Sequence, residues 1–442
     1  MSRENIFKWL YVGLGVKRWL LLVLLGVAIM GLGFAYLLRE VYVSYTFPEW
    51  VGDITLQFIP RWQRGLLFLT VASGLTIYGV WRLNRSLVTS LLPADRRDGI
   101  VDLIYSARTQ HRGPKIVAIG GGTGLSMLLR GLKRYTSNLT AVVTVADDGG
   151  SSGRLRREME VIPPGDLRNC IAALSDAEPL VARLFQYRFD DDDGIDIGGH
   201  SFGNLFIVAM AGVTGSMEEA VRETSRVLAV RGSILPSALT DVVLAARTED
   251  GRVVRGESLI PHAGSPIQEL WIEPDTTPAN PEAVAALMEA DLIVVGPGSL
   301  YTSVLPNLLV REIGEALLLS RAYRVFIPNV ATQLGETDGF SAADHYRVAK
   351  QHMGGREFAH ALLANNDLPP EPLPEQWRSE PVLASPDDDY GAARLVLADL
   401  VDPTNRYRHD SERLAAAVIR LYYERDLRAR TAAPIPAVAV RA

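Results

Sequence analysis

Two hydrophobic patterns share this chain. In the first hundred residues apolar positions run on without a break: Trp19 to Leu38 is a stretch of 20 uncharged residues and Gly65 to Trp81 one of 17. A helix needs about 20 mostly apolar residues to cross a hydrocarbon core roughly 30 Å thick, so the pattern predicts two membrane-spanning helices, the second at the short end of the range. Trp9, Trp19, Tyr36, Trp62 and Trp81 fall near the ends of these runs, where amphipathic rings favour the membrane interface. A cleaved signal peptide fits less well, because the first run is longer than a signal core and a second run follows it. Neither run holds an ionisable residue, which favours an anchor over a transport path.

From about Pro114 the pattern changes to short apolar runs separated by helical periodicity. Lys115 to Ile119, Leu139 to Ala146, Asp291 to Val295, Arg324 to Ile327 and Arg394 to Leu397 read as buried strands. Leu125, Leu128, Leu129 and Leu132 recur at helical spacing after the first of them. Strands alternating with helices predict an α/β fold, a Rossmann-like, mainly parallel sheet with helices on both faces. Val242 to Arg247 and Arg252 to Arg255 flank Asp250-Gly251, a hairpin signal. Residues 93–113 read as a linker, Asp190 to Asp196 as a solvated acidic loop without the spacing of a calcium loop, and 431–442 as a flexible tail. The expected organisation is an anchor over 1–92, the linker, a domain over 114–430 and the tail.

Charge sharpens this division. Residues 1–100 carry 11 Lys+Arg against 6 Asp+Glu, and the rest of the 442-residue chain 34 against 45. Lys8, Lys17 and Arg18 precede the first run, and Arg82, Arg85, Arg96 and Arg97 follow the second, which predicts both ends of the hairpin, and the main domain, on the cytoplasmic side of the cell membrane. An acidic main body makes a poor nucleic-acid binder. The single cysteine, Cys170, excludes an intrachain disulfide and a multi-cysteine zinc site. It sits on the apolar face of a helix with Leu167, Ile171 and Leu174, as a core residue would.

Candidate chemistry clusters where strands end. Gly120-Gly121-Gly122-Thr123-Gly124 follows the first body strand directly, where a glycine turn opening a helix can cradle a phosphate. It is neither a Walker loop, having no Lys-Ser or Lys-Thr at the required spacing, nor a dinucleotide fingerprint, whose third glycine position holds Leu125 or Met127. The next strand closes on Asp147, Asp148, Gly149, Gly150, Ser151 and Ser152. Neighbouring strand residues face opposite ways, so one aspartate would point into a cleft, to accept ribose hydroxyls or hold an ion such as Mg²⁺, with Asp148 as the candidate ligand. Asp166 reads as the N-cap of a helix through Leu174, leaving Arg168 and Asn169 off its apolar face to reach a phosphate or sugar. His200 and Asn204 open another apolar helix, and Gly298, Ser299, Tyr301 and Thr302 repeat the strand-then-glycine arrangement. Ligands of open α/β sheets bind at the carboxyl ends of strands, so one shared cleft is expected.

The segments GGGTGLS, VTVADDGGSSGRLR, PPGDLRN, HSFGNL and ADLIVVGPGSLYTSVLPNLLV, in that order over about residues 115–425, resemble the YvcK gluconeogenesis factors, relatives of the CofD phospholactate transferase fold. The resemblance implies a Rossmann-like domain that binds a nucleotide sugar, typically UDP-N-acetylglucosamine, without a required cofactor. It also implies a regulator of carbon flow into cell-wall precursors and of cell shape. By the same resemblance Gly121, Gly122, Thr123 and Gly124 would hold the diphosphate and Asp147 or Asp148 the ribose, sugar or an ion. Arg168, Asn204 and the loop around Ser299, Tyr301 and Thr302 would complete the pocket. The family's usual members lack a membrane hairpin, so residues 19–38 and 65–81 set this chain apart as a bilayer-tethered version. Expected partners are an enzyme of cell-wall precursor synthesis and further copies of the chain. A regulator needs no nucleophile. The alternative is a CofD-like transferase that moves a phosphorylated group from a nucleotide donor with Mg²⁺.

Overall fold

The computed structural model describes residues 16–45, 48–56, 58–91, 113–177, 179–190, 197–366 and 379–432. The chain divides into two compact units, 1–109 and 110–442. In the first, helices span Val16–Ser44, Glu49–Ile54 and Arg61–Leu91, and both long uncharged runs lie within helices as read. Their side chains at Leu25, Ile29, Phe34, Leu37, Leu66 and Leu69 are exposed. Among the described residues, no helix is long and apolar enough to cross a membrane. The structure thus supports two apolar helices and gives no support of its own to their spanning a bilayer.

The second unit contains twelve described strands: β1 (Ile116–Gly120), β2 (Leu139–Val143), β3 (Ser233–Pro236), β4 (Val243–Thr248), β5 (Val253–Arg255), β6 (Ile267–Glu273), β7 (Leu292–Val295), β8 (Tyr323–Phe326), β9 (Ala361–Asn365), β10 (Arg394–Ala398), β11 (Val401–Asp402) and β12 (Asn405–His409). Seven form one sheet in the order β10-β9-β8-β7-β1-β2-β3, with every neighbouring pair parallel. Every residue of β1 and β7 is buried, the continuous burial that a sheet covered on both faces imposes. β4 pairs antiparallel with β5, as the Asp250-Gly251 signal predicts, and β6 adds a third strand on its other side. The short β11–β12 ribbon lies apart.

The order of strands places the site. From β1 the chain builds outward through β2 and β3, then returns to β7 on the other side of β1 and builds outward again. The connections after β1 and β7 therefore diverge, which opens a crevice beyond their carboxyl ends. Ile116 stands level with Leu139 on one side and Leu292 on the other, so the turns after β1, β2 and β7 emerge at one level.

Three expectations are corrected. The Asp166 helix runs Gly165–Leu174 with Pro164 at the cap position, so Asp166 lies in its first turn and does not cap it. Residues 431 and 432, expected in the tail, close the Ser411–Ala432 helix. The run 139–146 is a strand only to Val143, after which Thr144, Val145 and Ala146 stay buried outside it. The expected acidic loop at 191–196, the linker at 93–112 and the tail from 433 lie outside the described residues.

Leu125, Leu128, Leu129 and Leu132 are fully buried on the Gly122–Leu132 helix, and Cys170 is core. The same helix approaches the Ser411–Ala432 helix so closely that a Cβ on Gly131 would sit 1.9 Å from the Ser411 carbonyl oxygen. Gly→Ala inside a helix ordinarily stabilises by roughly 1 kcal/mol. Here overpacking reverses the sign. Gly131→Ala should destabilise the domain by about 1–3 kcal/mol in urea unfolding, and a stabilised variant would show that the contact is not tight.

Candidate functional site

The site is built from the turns that leave β1, β2 and β7. Gly122, the first residue of its helix, has φ +61°, the left-handed region that favours glycine, and a Cβ there would meet only Ser303 Oγ at 3.6 Å. A Cβ on Gly124 would lie 2.6 Å from the Pro297 carbonyl oxygen and 2.9 Å from Gly298 Cα. The glycine turns after β1 and β7 thus touch backbone to backbone. The cap residue Gly121 has no side chain to offer and the Asp166 carboxyl takes the Gly122 amide, so the amides of Thr123 and Gly124 are those left to face an anion in the crevice. Thr123 is exposed beside them.

Opposite this turn stands Asp166. A Cβ on Gly121 would sit 2.5 Å from Asp166 Oδ2, and the Gly122 amide hydrogen-bonds the Asp166 carboxyl. The residue keeps some accessibility, but protein encloses its carboxyl. That burial, reinforced by the neighbouring Asp147, pushes its pKa up to about 7 against the favourable Gly122 amide and Arg168. Asp147 accepts a hydrogen bond from the Gly149 amide at 3.0 Å and one from Ser152. Burial raises its pKa too. Glu257 is pushed up to about 8 by burial and by Asp147, Asp148, Asp166 and Glu336. Glu336 is raised by burial although Ser299 and Thr302 donate to it through their hydroxyls and amides flank it.

Asp148 turns the other way. Its Oδ1 accepts from the Ser258 amide at 2.8 Å, and its Oδ2 would lie 2.6 Å from a Cβ on Gly256. Among the described residues no group of three or more His, Cys, Asp and Glu is placed to hold a metal ion. Ser151, His200 and Asn204 meet in a buried cluster, with Ser151 Oγ 3.0 Å from His200 Nδ1 and accepting from Asn204 Nδ2 at 2.9 Å. It joins the Gly150–Met159 helix to the Phe202–Thr214 helix and engages one of the two histidine ring nitrogens. Arg168 donates to Asn169 Oδ1 at 2.8 Å, and its Nε is buried without a partner. Burial, together with the neighbouring Arg188, lowers its pKa, as expected where two cations lie close. Thr302 donates to Ser299 Oγ at 2.6 Å, and the Gly298 amide to Asn329 Oδ1 at 3.1 Å.

The structure therefore brings the Gly121–Gly124 turn, Asp147, Ser152 and Gly298 into one neighbourhood, with Arg168 against Asp166 and the Ser299–Thr302 turn reaching Glu336. Sequence reasoning missed four residues of consequence. Asp166 was legible in PPGDLRN but was assigned to a cap. Glu257 and Glu336 stand in no motif and arrive through tertiary packing. Arg156 secures the Asp147 turn by donating to the Ala146 and Asp147 carbonyls, both at 3.3 Å, and to Val242 O at 2.7 Å. Chemically, the Thr123 and Gly124 amides and an arginine whose Nε has no partner among the described residues suit an anion, while the carboxyls, protonated at neutral pH in part, can both donate to and accept from hydroxyls.

Known proteins align with this architecture. The family described as 2-phospho-L-lactate transferase CofD matches residues 116–397. A Bacillus subtilis protein named gluconeogenesis factor is 48% identical over 316 residues, 70% of this chain and 99% of its own. A Nostoc relative whose name carries the same term is 45% identical over 429 residues, 94% of this chain and 92% of its own. A crystal structure of a Bacillus halodurans protein superposes with a TM-score of 0.65 at 42% identity, covering 70% of this chain and 99% of that one.

The raised carboxyls set a pH dependence. Asp166 and Glu257 bind a proton more tightly folded than unfolded, so between their unfolded values near pH 4 and their folded values of about 7 and about 8 the native state holds more protons. Stability should therefore fall as pH rises through that window. Urea unfolding of the protein at pH 5 and pH 8.5 should show the loss, and Asp166→Asn with Glu257→Gln should flatten the profile. An unchanged slope in the double variant would remove these two carboxyls as its source.

Proposed function

Because this chain belongs to the gluconeogenesis factor family and carries a CofD-type domain, we propose that it binds a nucleotide sugar, UDP-N-acetylglucosamine, and acts as a regulator that directs carbon toward cell-wall precursors and maintains cell shape. The observation that carries the binding reading is the glycine turn at the strand-order reversal, whose helix opens on the Thr123 and Gly124 amides beside the Gly122 amide held by Asp166, and whose Gly124 presses on the Pro297–Gly298 turn. A diphosphate suits the amides, because the helix dipole adds to their hydrogen bonds. Ribose and sugar hydroxyls suit Asp147 and its neighbours. Like charge between the diphosphate and these carboxyls is relieved by their bound protons, so affinity should weaken as pH rises above about 8.

A second reading has its own support. The CofD match and the acidic surroundings of Asp147 and Asp166 favour a transferase that moves a phosphorylated group from a nucleotide donor. The carboxyls have the oxygen chemistry a Mg²⁺ ion prefers, but no trio among the described residues is placed for one. Turnover of nucleotide donors by the purified protein would decide for the enzyme.

Attachment to a lipid bilayer through residues 19–38 and 65–81, with the main domain in the cytoplasm, completes the proposal. Its support is the pair of uncharged runs, their basic flanks and the exposed apolar side chains of both helices.

Two outcomes are expected. In calorimetric titrations with UDP-N-acetylglucosamine, Gly122→Ala should cost about 1 kcal/mol of stability for its left-handed backbone and weaken binding at least tenfold, because the methyl group stands over the turn. Equal affinity in the variant would take the turn out of the site. The full chain should sediment with membranes and resist extraction by alkaline carbonate, whereas its release into the supernatant would refute the anchor.

A further inference from the structure

A cavity of about 680 Å³, within the range of small-molecule sites, is lined in part by Tyr301 and Glu336. Its walls come from the segment entering β6, the buried Tyr301 turn, the 334–340 turn and the Ala342–His352 helix. The wall geometry is fixed closely: Gly335, at φ +79°, packs so that a Cβ would lie 1.8 Å from the Pro261 carbonyl oxygen. One wall residue, Glu336, is shared with the site, since it accepts from Ser299 and Thr302. The cavity therefore begins where the turn after β7 ends.

The lining has a definite chemistry. Tyr301 is 1% exposed, and its hydroxyl, at the cavity wall, makes no hydrogen bond to a described residue. Burial pushes its pKa up to about 12, so it remains a donor. His352 closes the aromatic wall with Phe340 around Tyr301, at ring distances of 6.3 and 6.5 Å. Both His352 nitrogens are engaged, one with Val348 O at 2.9 Å and one with the Leu270 amide at 3.2 Å, and its pKa is lowered by burial. Two exposed carboxylates, Glu249 and Asp338, and the buried Glu336 carboxyl share the wall with one arginine, Arg347, which is already paired with Asp344 at 2.8 Å. An anion would be repelled here. A neutral ring bearing hydroxyl and amide groups fits instead, with carboxylates accepting from its hydroxyls, the Tyr301 hydroxyl donating to an oxygen, and aromatic faces against its C–H surface.

The geometry points to this cavity as the subsite for the neutral pyranose of the nucleotide sugar, with the diphosphate on the glycine turns. The inference rests on the nucleotide-sugar reading and adds which part of the ligand lies where. The same chemistry would suit a free sugar, so the test separates the two.

Calorimetry on the full chain would compare UDP, UDP-N-acetylglucosamine and free N-acetylglucosamine. Wild type should bind UDP-N-acetylglucosamine more tightly than UDP and should not bind the free sugar measurably. Tyr301→Phe, which keeps the ring and removes one hydrogen bond, should weaken UDP-N-acetylglucosamine about threefold to tenfold and leave UDP unchanged. Gln351→Trp, at an exposed position on the cavity edge, should give the same selective loss without disturbing the core. If wild type binds both nucleotides and the variants weaken both alike or neither, the cavity assignment alone is overturned. Binding of the free sugar alone, weakened by the variants, would overturn the linked-ligand form. Wild type that binds neither nucleotide overturns the nucleotide-sugar reading, and this subsite with it.

Discussion

The close approach of two backbone turns governs the rest of the site. Gly124 lies against the Pro297 carbonyl with no room for a Cβ, which holds the turns after β1 and β7 together across the point where the strand order reverses. Everything else is placed by that contact. It sets the Thr123 and Gly124 amides that open the Gly122–Leu132 helix at the crevice, and it brings the Ser299–Thr302 turn, and through it Glu336, to the crevice's far side. A side chain at Gly124 would force the two turns apart.

Around this contact the protein gathers more buried carboxyl groups than fixed cations. Asp147, Asp166, Glu257 and Glu336 all have raised pKa values, and burial is the leading cause each time. Burying ionised groups this way is costly, and the natural response is to keep protons on them. On the proposed nucleotide-sugar reading, the same protons would let an acidic crevice accept a diphosphate, and stability and ligand affinity would be linked to one set of titrations. Arg156 is committed to backbone carbonyls and Asp241, and so supports the turn rather than neutralising the cluster.

How far the sequence discloses this follows from the range of each interaction. β1, β2 and β7 were legible because a strand buried on both faces is an uninterrupted apolar run, and β8 and β10 because they too are short apolar runs, although β10, at the sheet edge, is only partly buried. β9, Ala361–Asn365, was not, since its alanine and leucine content favours a helix and only its place between β8 and β10 makes it a strand. β3 is four residues ending in proline, too short to carry a pattern. The glycine turns were legible because their constraint is local. Asp166 reads as a cap because aspartate is a preferred residue at helix starts, while the structure starts the helix earlier and turns the carboxyl toward Gly121. Glu257 and Glu336 act across long sequence separations, which no local pattern records. For residues 19–38 and 65–81, the runs predicted helices that the structure contains, while their relation to a bilayer belongs to the solvent around them.

The central claim is that the amides opening the Gly122–Leu132 helix hold the diphosphate of a nucleotide sugar. Amide hydrogen exchange of the full chain, with and without saturating UDP-N-acetylglucosamine, reads those amides directly. The account predicts slowed exchange in peptides covering Gly121–Gly124 and Gly298–Thr302. Protection confined to other segments, with these amides exchanging at their free rate, would contradict it.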